Sequence, residues 1–328
     1  MRFLPGALLA LAVCAPAAAQ SVPELLARYS GRAAFDAATG TLRFQTSGRV
    51  GFGAGGPDGS IWRVPPEVRR IVIAGGARVE AAFTAESSLD IAGEGRSSEI
   101  FGTLQPALLH SLGLDRGGGC MPYSAVYARG RGVVVGVSRL TSRDPIGFHF
   151  TGADGAVLHL DDVAAIDDRG GFSNHSDGIQ AGKGSTVSRS FFSTGDDVIK
   201  VYNDITVEDT TIEMIANAVP IQLGWGSYGD GAVGRFRNLT ITGDSGRNKT
   251  HPVIEAHAGA YRKQLLFEGL KIENRTASLF NVPDPSSQVA VRADGADIDV
   301  ARYADALAGP GPRLICGRED AAAAFHCP

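Results

Sequence analysis

A loose internal repeat constrains this chain more than any other feature. Short alternating runs open at Val157-Leu158-His159-Leu160, Thr186-Val187-Ser188-Arg189, Ile205-Thr206-Val207-Glu208, Val233-Gly234-Arg235-Phe236 and Leu265-Leu266-Phe267-Glu268. Each leads, a few residues on, into a second apolar alternation, as at 164–166, 212–214, 239–241 and 270–272. The units recur every 20 to 30 residues, with Gly, Asp and Asn between them and almost no helical period. Period-two alternation in strand-sized pieces marks an all-β chain. A sandwich or barrel would close its hairpins with two-residue links, and Asp-Gly does occur at Asp58, Asp154, Asp177, Asp230 and Asp294. The uneven repeat with an apolar stripe in every unit instead favours a parallel β-helix, in which each coil stacks on the last.

The ends read differently. Arg2, the apolar run from Phe3 to Ala15 and Ala17-Ala18-Ala19 form a secretory signal pattern over residues 1–19, too short to span a membrane. Cys14 lies inside it, and Val13 before it argues against a lipoprotein signal. Processing leaves roughly 308 residues, enough for one large domain. An open solenoid needs covered ends. Residues 20–60, with an amphipathic stretch from Val22 to Tyr29, are expected to cap the first coil. Residues 61–300 are expected to form the β-helix, and 301–328 a C-terminal cap. Cys316 and Cys327 flank a helix-like run from Arg318 to Phe325 and are the expected disulfide, with Cys120 left over; a bridge from Cys120 to either is the alternative.

The chemistry concentrates between Asn174 and Trp225. Asn174-His175-Ser176-Asp177-Gly178-Ile179-Gln180 is followed by Gly195-Asp196-Asp197-Val198-Ile199-Lys200 and Pro220-Ile221-Gln222-Leu223-Gly224-Trp225. Asp177 and Asp196 stand nineteen residues apart, which in a coil of about twenty puts them on adjacent coils, around 5 Å apart along the axis. Three carboxylates on one patch would push one another's pKa values apart, leaving one group protonated as general acid beside another kept ionised. Glycosidic bond hydrolysis uses such a pair. Turn aspartates more often cap their own backbone. Asp196 and Asp197 can face one cleft only at a bend or bulge, because successive strand residues point to opposite faces.

Ser-Asp-Gly-Ile, Asp-Asp-Val-Ile-Lys and Ile-Gln-Leu-Gly-Trp resemble the motif series of glycoside hydrolase family 49, the dextranase and isopullulanase family. The run from Val68 to Phe83 is similar to that family's apolar strand and glycine turn, and Leu89-Asp90-Ile91-Ala92-Gly93-Glu94-Gly95 to its "I-x-G-x-G" turn. The resemblance covers roughly residues 60–275. It implies a right-handed parallel β-helix and inverting hydrolysis of an α-glucan without a metal or other cofactor. On that resemblance Asp196 or Asp197 is the general acid, and Asp177 with the remaining partner positions the attacking water. Lys200 would hold a carboxylate or a sugar hydroxyl, and Trp225 would offer a stacking face. Gln180, Gln222, His175 and His257 complete the expected substrate-binding set, His175 for its closeness to Asp177. The chain departs from the family at Gln180, where an acidic residue is usual. An amide can bind but cannot act as a base. It departs again at Asn217-Ala218-Val219 in place of Asn-Asp, and it has no room for the family's N-terminal β-sandwich.

Composition narrows the rivals. A net charge of −4 with no basic cluster excludes a nucleic-acid groove or an anionic-membrane patch. A soluble, secreted or periplasmic monomer acting on a polysaccharide or oligosaccharide is expected. Polygalacturonase-like enzymes typically carry Gly-His-Gly and Arg-Ile-Lys; Gly224-Trp225-Gly226 here favours a neutral sugar. A polysaccharide lyase would instead bind Ca²⁺ through the three aspartates and use Lys200 or Arg189 as base. A β-helix that only binds carbohydrate is the third alternative.

Overall fold

The alternating runs become the strands of three parallel sheets wound into one coil after another. The computed structural model describes residues 21–50, 61–102, 121–145, 147–169, 176–215, 218–224, 230–244, 252–257, 259, 262–307, 313–316, 319–320 and 326–327. On the first sheet Leu42, Ile71, Ile91, Val137, Leu160, Val187, Val207, Phe236, Phe267 and Ala293 stand in one column, each level with the next. On the second, Val79, Ile100, Ser142, Ala165, Phe192, Ile212, Ile241, Ile272 and Ile298 do the same. The third carries Trp62, Phe83, Val126, Phe150, Ile179, Ile199, Ile221, Ile254 and Phe280. All these side chains are buried. At about 1.5–3 kcal/mol for each large apolar side chain, the three columns supply the main stabilisation of a fold with little other interior. The architecture is a right-handed parallel β-helix.

The first and second sheets meet at a one-residue corner. Arg139, Asp162, Arg189, Asp209 and Asn238 all hold positive φ there, between 48° and 54°, and Gly269 and Gly295 continue the column. Asp and Asn tolerate this left-handed state better than most residues. Asn238 Nδ2 donates to Asp209 Oδ1 at 2.8 Å, tying one corner to the next. Asp154-Gly155, both at positive φ, turns the chain from the third sheet to the first, so this Asp-Gly serves a coil corner and not a hairpin.

Helix α1 (Val22–Arg28) lies over the N-terminal end, started by a capping box between Ser21 and Glu24. It buries Val22 and Leu25, and Tyr29 behind it meets Phe44 edge-on at 4.9 Å. Parallel coil pairing already begins at Thr41–Phe44, inside the 20–60 segment read as cap. At the other end Arg313–Cys316 adds in parallel to Gln288–Leu307. Glu319–Asp320 then returns antiparallel to it as a strand, which corrects the helix-like reading at those two residues; the rest of the run from Arg318 to Phe325 lies outside the described residues. Cys120, the signal-like residues 1–19 and the side chains of Cys316 and Cys327 lie outside what is described. Among the described residues no helix is long and apolar enough to cross a membrane.

Candidate active site

The site is built on the shortest strands of the third sheet. Ile179–Gln180, Ile199–Lys200 and Ile221–Gln222 each place an isoleucine in the core and a polar side chain on the opposite face of the sheet, where Lys200 and Gln222 are themselves buried. Register sets the aspartates. Ile179 pairs with Ile199, an offset of twenty, and the Gly178 N–H donates to Asp197 O at 2.8 Å. Asp177 therefore stands over Asp197, and not over Asp196 as the nineteen-residue spacing suggests. Asp196 lies one residue back, level with Ser176, where the backbone bends at Gly195 and Asp196. That bend lets two consecutive carboxylates face one side, and oxygens of all three lie within 4.8 Å of one another.

Gly178 explains the close stacking. A Cβ there would meet Val198 O at 2.4 Å and Phe192 Cδ1 at 3.0 Å. The Asp-Gly of this motif thus marks a close approach of coils, with Phe192 packed beneath it.

Lys200 organises the charges. Its Nζ contacts Asp177 Oδ1 and lies 3.3 Å from Asp197 Oδ2, with all three side chains under a tenth exposed. Its amine lies 5.0 Å from the centre of the Phe148 ring and 5.9 Å from that of Tyr202. Burial works against the ammonium, but the charges of Asp177 and Asp197 outweigh it and hold the lysine pKa well above its ordinary value. Burial is also the main cause pushing Asp177 up to about 7, with Asp197 adding to it and Lys200 opposing. Asp196 is raised well above the carboxylate range, first by burial, then by the charges of Asp177 and Asp197. It is also the carboxylate of the three that keeps some exposed surface. A carboxyl raised by burial at the edge of the patch thus adjoins two carboxylates that share one ammonium, an arrangement suited to acid–base work.

A buried scaffold that the sequence reading missed holds the bend. The Asp167 carboxylate, fully buried, takes Arg169 Nε at 3.1 Å and a second guanidinium nitrogen at 2.6 Å. The Ser176 hydroxyl donates to Asp167 Oδ2 and accepts from the Gly195 N–H at 2.9 Å. Arg169 lies five positions before the first motif, which opens at Asn174, yet nothing in its neighbours signals the role.

Of the remaining expected residues, Gln180 sits outward on the row before Lys200, partly exposed. Gln222 is level with Lys200 on the next coil, fully buried. His257 lies two coils beyond Lys200, its Nε2 3.4 Å from Glu255 Oε2. Glu255 and Asn281 continue the outward row after Gln222, and neither was among the expected residues. His175 and Trp225 lie outside the described residues. His149, another titratable candidate, is a core group: Nδ1 meets Ser142 Oγ at 2.8 Å, and burial pushes its pKa down to about 3.

No protein-family model matches the chain. A dextranase of Arthrobacter sp. (strain CB-8) is 46% identical over 50 residues, covering 15% of this chain and 8% of that protein. Among solved structures, Dex49A from Penicillium minioluteum superposes with a TM-score of 0.60 at 18% identity, over 84% of this chain and 53% of that one. An endo-xylogalacturonan hydrolase from Aspergillus tubingensis aligns at a TM-score of 0.49 and 12% identity, over 84% and 81%. The chain spans about half the length of the solved dextranase and a small part of the curated one. The resemblance to the dextranase family read from the motifs is matched by similarity in sequence over that short segment and in fold over most of the chain.

Proposed function

We propose that this chain is a secreted glycoside hydrolase that cleaves an α-linked glucan of dextran or pullulan type, as a monomer and without a metal. The observation that carries the reading is the geometry of the three aspartates: an edge-exposed Asp196 beside an Asp177–Lys200–Asp197 clamp, their oxygens within 4.8 Å of one another. In the reaction Asp196 gives its proton to the glycosidic oxygen as the C1–O bond breaks. Water attacks C1 and passes its proton to Asp177, whose pKa of about 7 suits a base working near neutrality. Asp197 holds the water through its second oxygen. Lys200 keeps both carboxylates oriented and balances the charge left on them.

The lyase alternative needs a divalent cation among the same carboxylates. The Lys200 ammonium already stands between Asp177 and Asp197, and a Ca²⁺ there would meet a buried positive charge. The residues present fit a lysine-clamped hydrolase better than a metal site.

A reducing-sugar screen on dextran, pullulan and other neutral polysaccharides tests the reading, with chelator present and Asp197→Asn as control. Release of reducing ends that survives chelator and is lost in the variant supports it. Cutting of no polysaccharide, or equal cutting by the variant, sinks it. Stereochemistry is read in the same experiment by anomeric NMR. The family implies inversion, whereas carboxylate oxygens within 4.8 Å are closer than the roughly 6.5–9.5 Å of inverting pairs.

A further inference from the structure

The second sheet ends, on three successive coils, in a column of polar residues. Arg143 is level with Ile166 and Ile166 with Ser193, so the residues that follow them, Asp144, Asp167 and Thr194, stack one over the next. Backbone bonds carry the stack past the strand ends. The Asp144 N–H donates to Ile166 O at 2.9 Å, and the Asp167 N–H to Ser193 O at 2.8 Å. Thr194, fully buried, meets the catalytic bend itself: its hydroxyl donates to Asp196 O at 2.7 Å. The Ser176 hydroxyl, also fully buried, takes the Gly195 N–H of the same bend at 2.9 Å. Two buried hydroxyls therefore grip the turn that lets Asp196 and Asp197 share a face, one through a carbonyl and one through an N–H.

Ser176 is itself set by charge. Burial works against the Asp167 carboxylate, but Arg169 outweighs it and holds the pKa below its ordinary value, so Asp167 only accepts. The Ser176 hydroxyl must give the proton of the bond between them, which leaves its lone pairs to Gly195. Arg169 in turn is seated on the coil before. It donates to Pro145 O at 2.9 Å and stands 3.8 Å from Asp144 Oδ1. Asp144 Oδ1 also accepts the Asp168 N–H at 2.7 Å, while Arg143 pairs with Asp168 and, at 3.0 Å, with Glu99. Asp144 holds φ of 46°, a conformation that Asp, Asn and Gly tolerate.

We propose that Thr194 and Asp144 are positioning residues for Asp196. Thr194 grips the bend directly, and Asp144 acts on it from the preceding coil through Arg169, Asp167 and Ser176. This rests on the hydrolase reading above and adds to it residues that act on the aim of the acid and not on the sugar. The column turns the stacking of coils into the orientation of one carboxyl, which is where a small displacement costs the most rate.

The test is Thr194→Val, which keeps the shape and removes the hydroxyl, with Thr194→Ser to restore it. On the glucan that the wild type cuts, Thr194→Val should lower kcat roughly tenfold with KM within about twofold, and Thr194→Ser should recover most of the loss. A released Asp196 turns towards water, away from the burial and from the Asp177 and Asp197 charges that raise its pKa, Lys200 being the opposing charge. The acid must be protonated to work, so a lower pKa brings the alkaline limb of the pH–rate profile down by about one unit while the acid limb stays. Asp144→Gly suits the backbone and removes the acceptor, whereas Asp144→Asn keeps both. Asp144→Gly should lower kcat roughly threefold alone and add almost nothing in a Ser176→Ala background, with Asp144→Asn close to the wild type. Unchanged kcat and alkaline limb in Thr194→Val would overturn the proposal, whatever the melting temperature. So would an Asp144→Gly loss that adds in full to that of Ser176→Ala, or an Asp144→Asn as poor as Asp144→Gly. Should Thr194→Val not fold, the Asp144 variants decide. Carbon-13 NMR titration of the Asp196 carboxyl, assigned by its absence in Asp196→Asn, reads the same shift without turnover. Cleavage of no glucan would therefore strike the hydrolase reading, while the titration still decides the positioning.

Discussion

Lys200→Met is the substitution whose consequences can be worked out furthest. Methionine keeps the unbranched stem that runs past Phe148 and Tyr202 and removes only the ammonium. Asp177 and Asp197 then face each other, buried, with no cation between them. Removing one partner of a buried pair costs about 3–5 kcal/mol when the survivor stays charged. The survivors avoid that by taking up protons. Asp177 already sits near 7 with Lys200 opposing its rise, and a close opposite charge is worth roughly 1–3 pKa units. Without it the base is mostly protonated at pH 7, and kcat/KM there should fall at least about tenfold. The acid limb of the pH–rate profile should move up by about one unit or more. Stability follows the same sign. A carboxyl whose folded pKa is raised favours the fold below its unfolded value of 3.8 and loses that support as pH rises through the folded pKa. The melting-temperature deficit of the variant should therefore be small near pH 4 and grow through pH 7 and above. The assays are a pH–rate profile on the cleaved glucan and thermal melts across the same range. An acid limb that overlays the wild type within about half a unit, or a deficit that shrinks as pH rises, would refute the clamp.

Two further outcomes follow from the neighbouring contacts. Ser176→Ala removes the hydroxyl that links Asp167 to the Gly195 N–H and should lower kcat roughly ten- to hundredfold with KM little changed, since the bend carrying Asp196 loses its hold; steady-state kinetics with Ser176→Thr as the conservative rescue checks this. Phe192→Ala empties a core position directly beneath Gly178 and should cost about 3–5 kcal/mol in a denaturant titration, with activity lost at temperatures where the wild type is folded.

How much of this was legible in the sequence follows from strand length. The first two sheets are written as alternations of three to five residues, so the runs at Val157, Thr186, Ile205, Val233 and Leu265 and their followers fall on real strands in real register. The third sheet is not legible that way. Around the site its strands pair over one or two residues, too few to show a period, and they were visible only as motifs. The site lies on that sheet for a physical reason. A two-residue strand ends in bends on either side, and bends let Asp196 and Asp197 share a face that a longer strand would split between core and solvent. The same shortness hid the register, since nineteen and twenty residues read alike until Ile179 is seen opposite Ile199. It also hid Glu255 and Asn281, ordinary polar residues in sequence that only the register places in the row of Lys200 and Gln222. Chemistry concentrated where the pattern fails is what a solenoid should show: its columns need repetition, and a catalytic group needs a position that its neighbours above and below do not repeat.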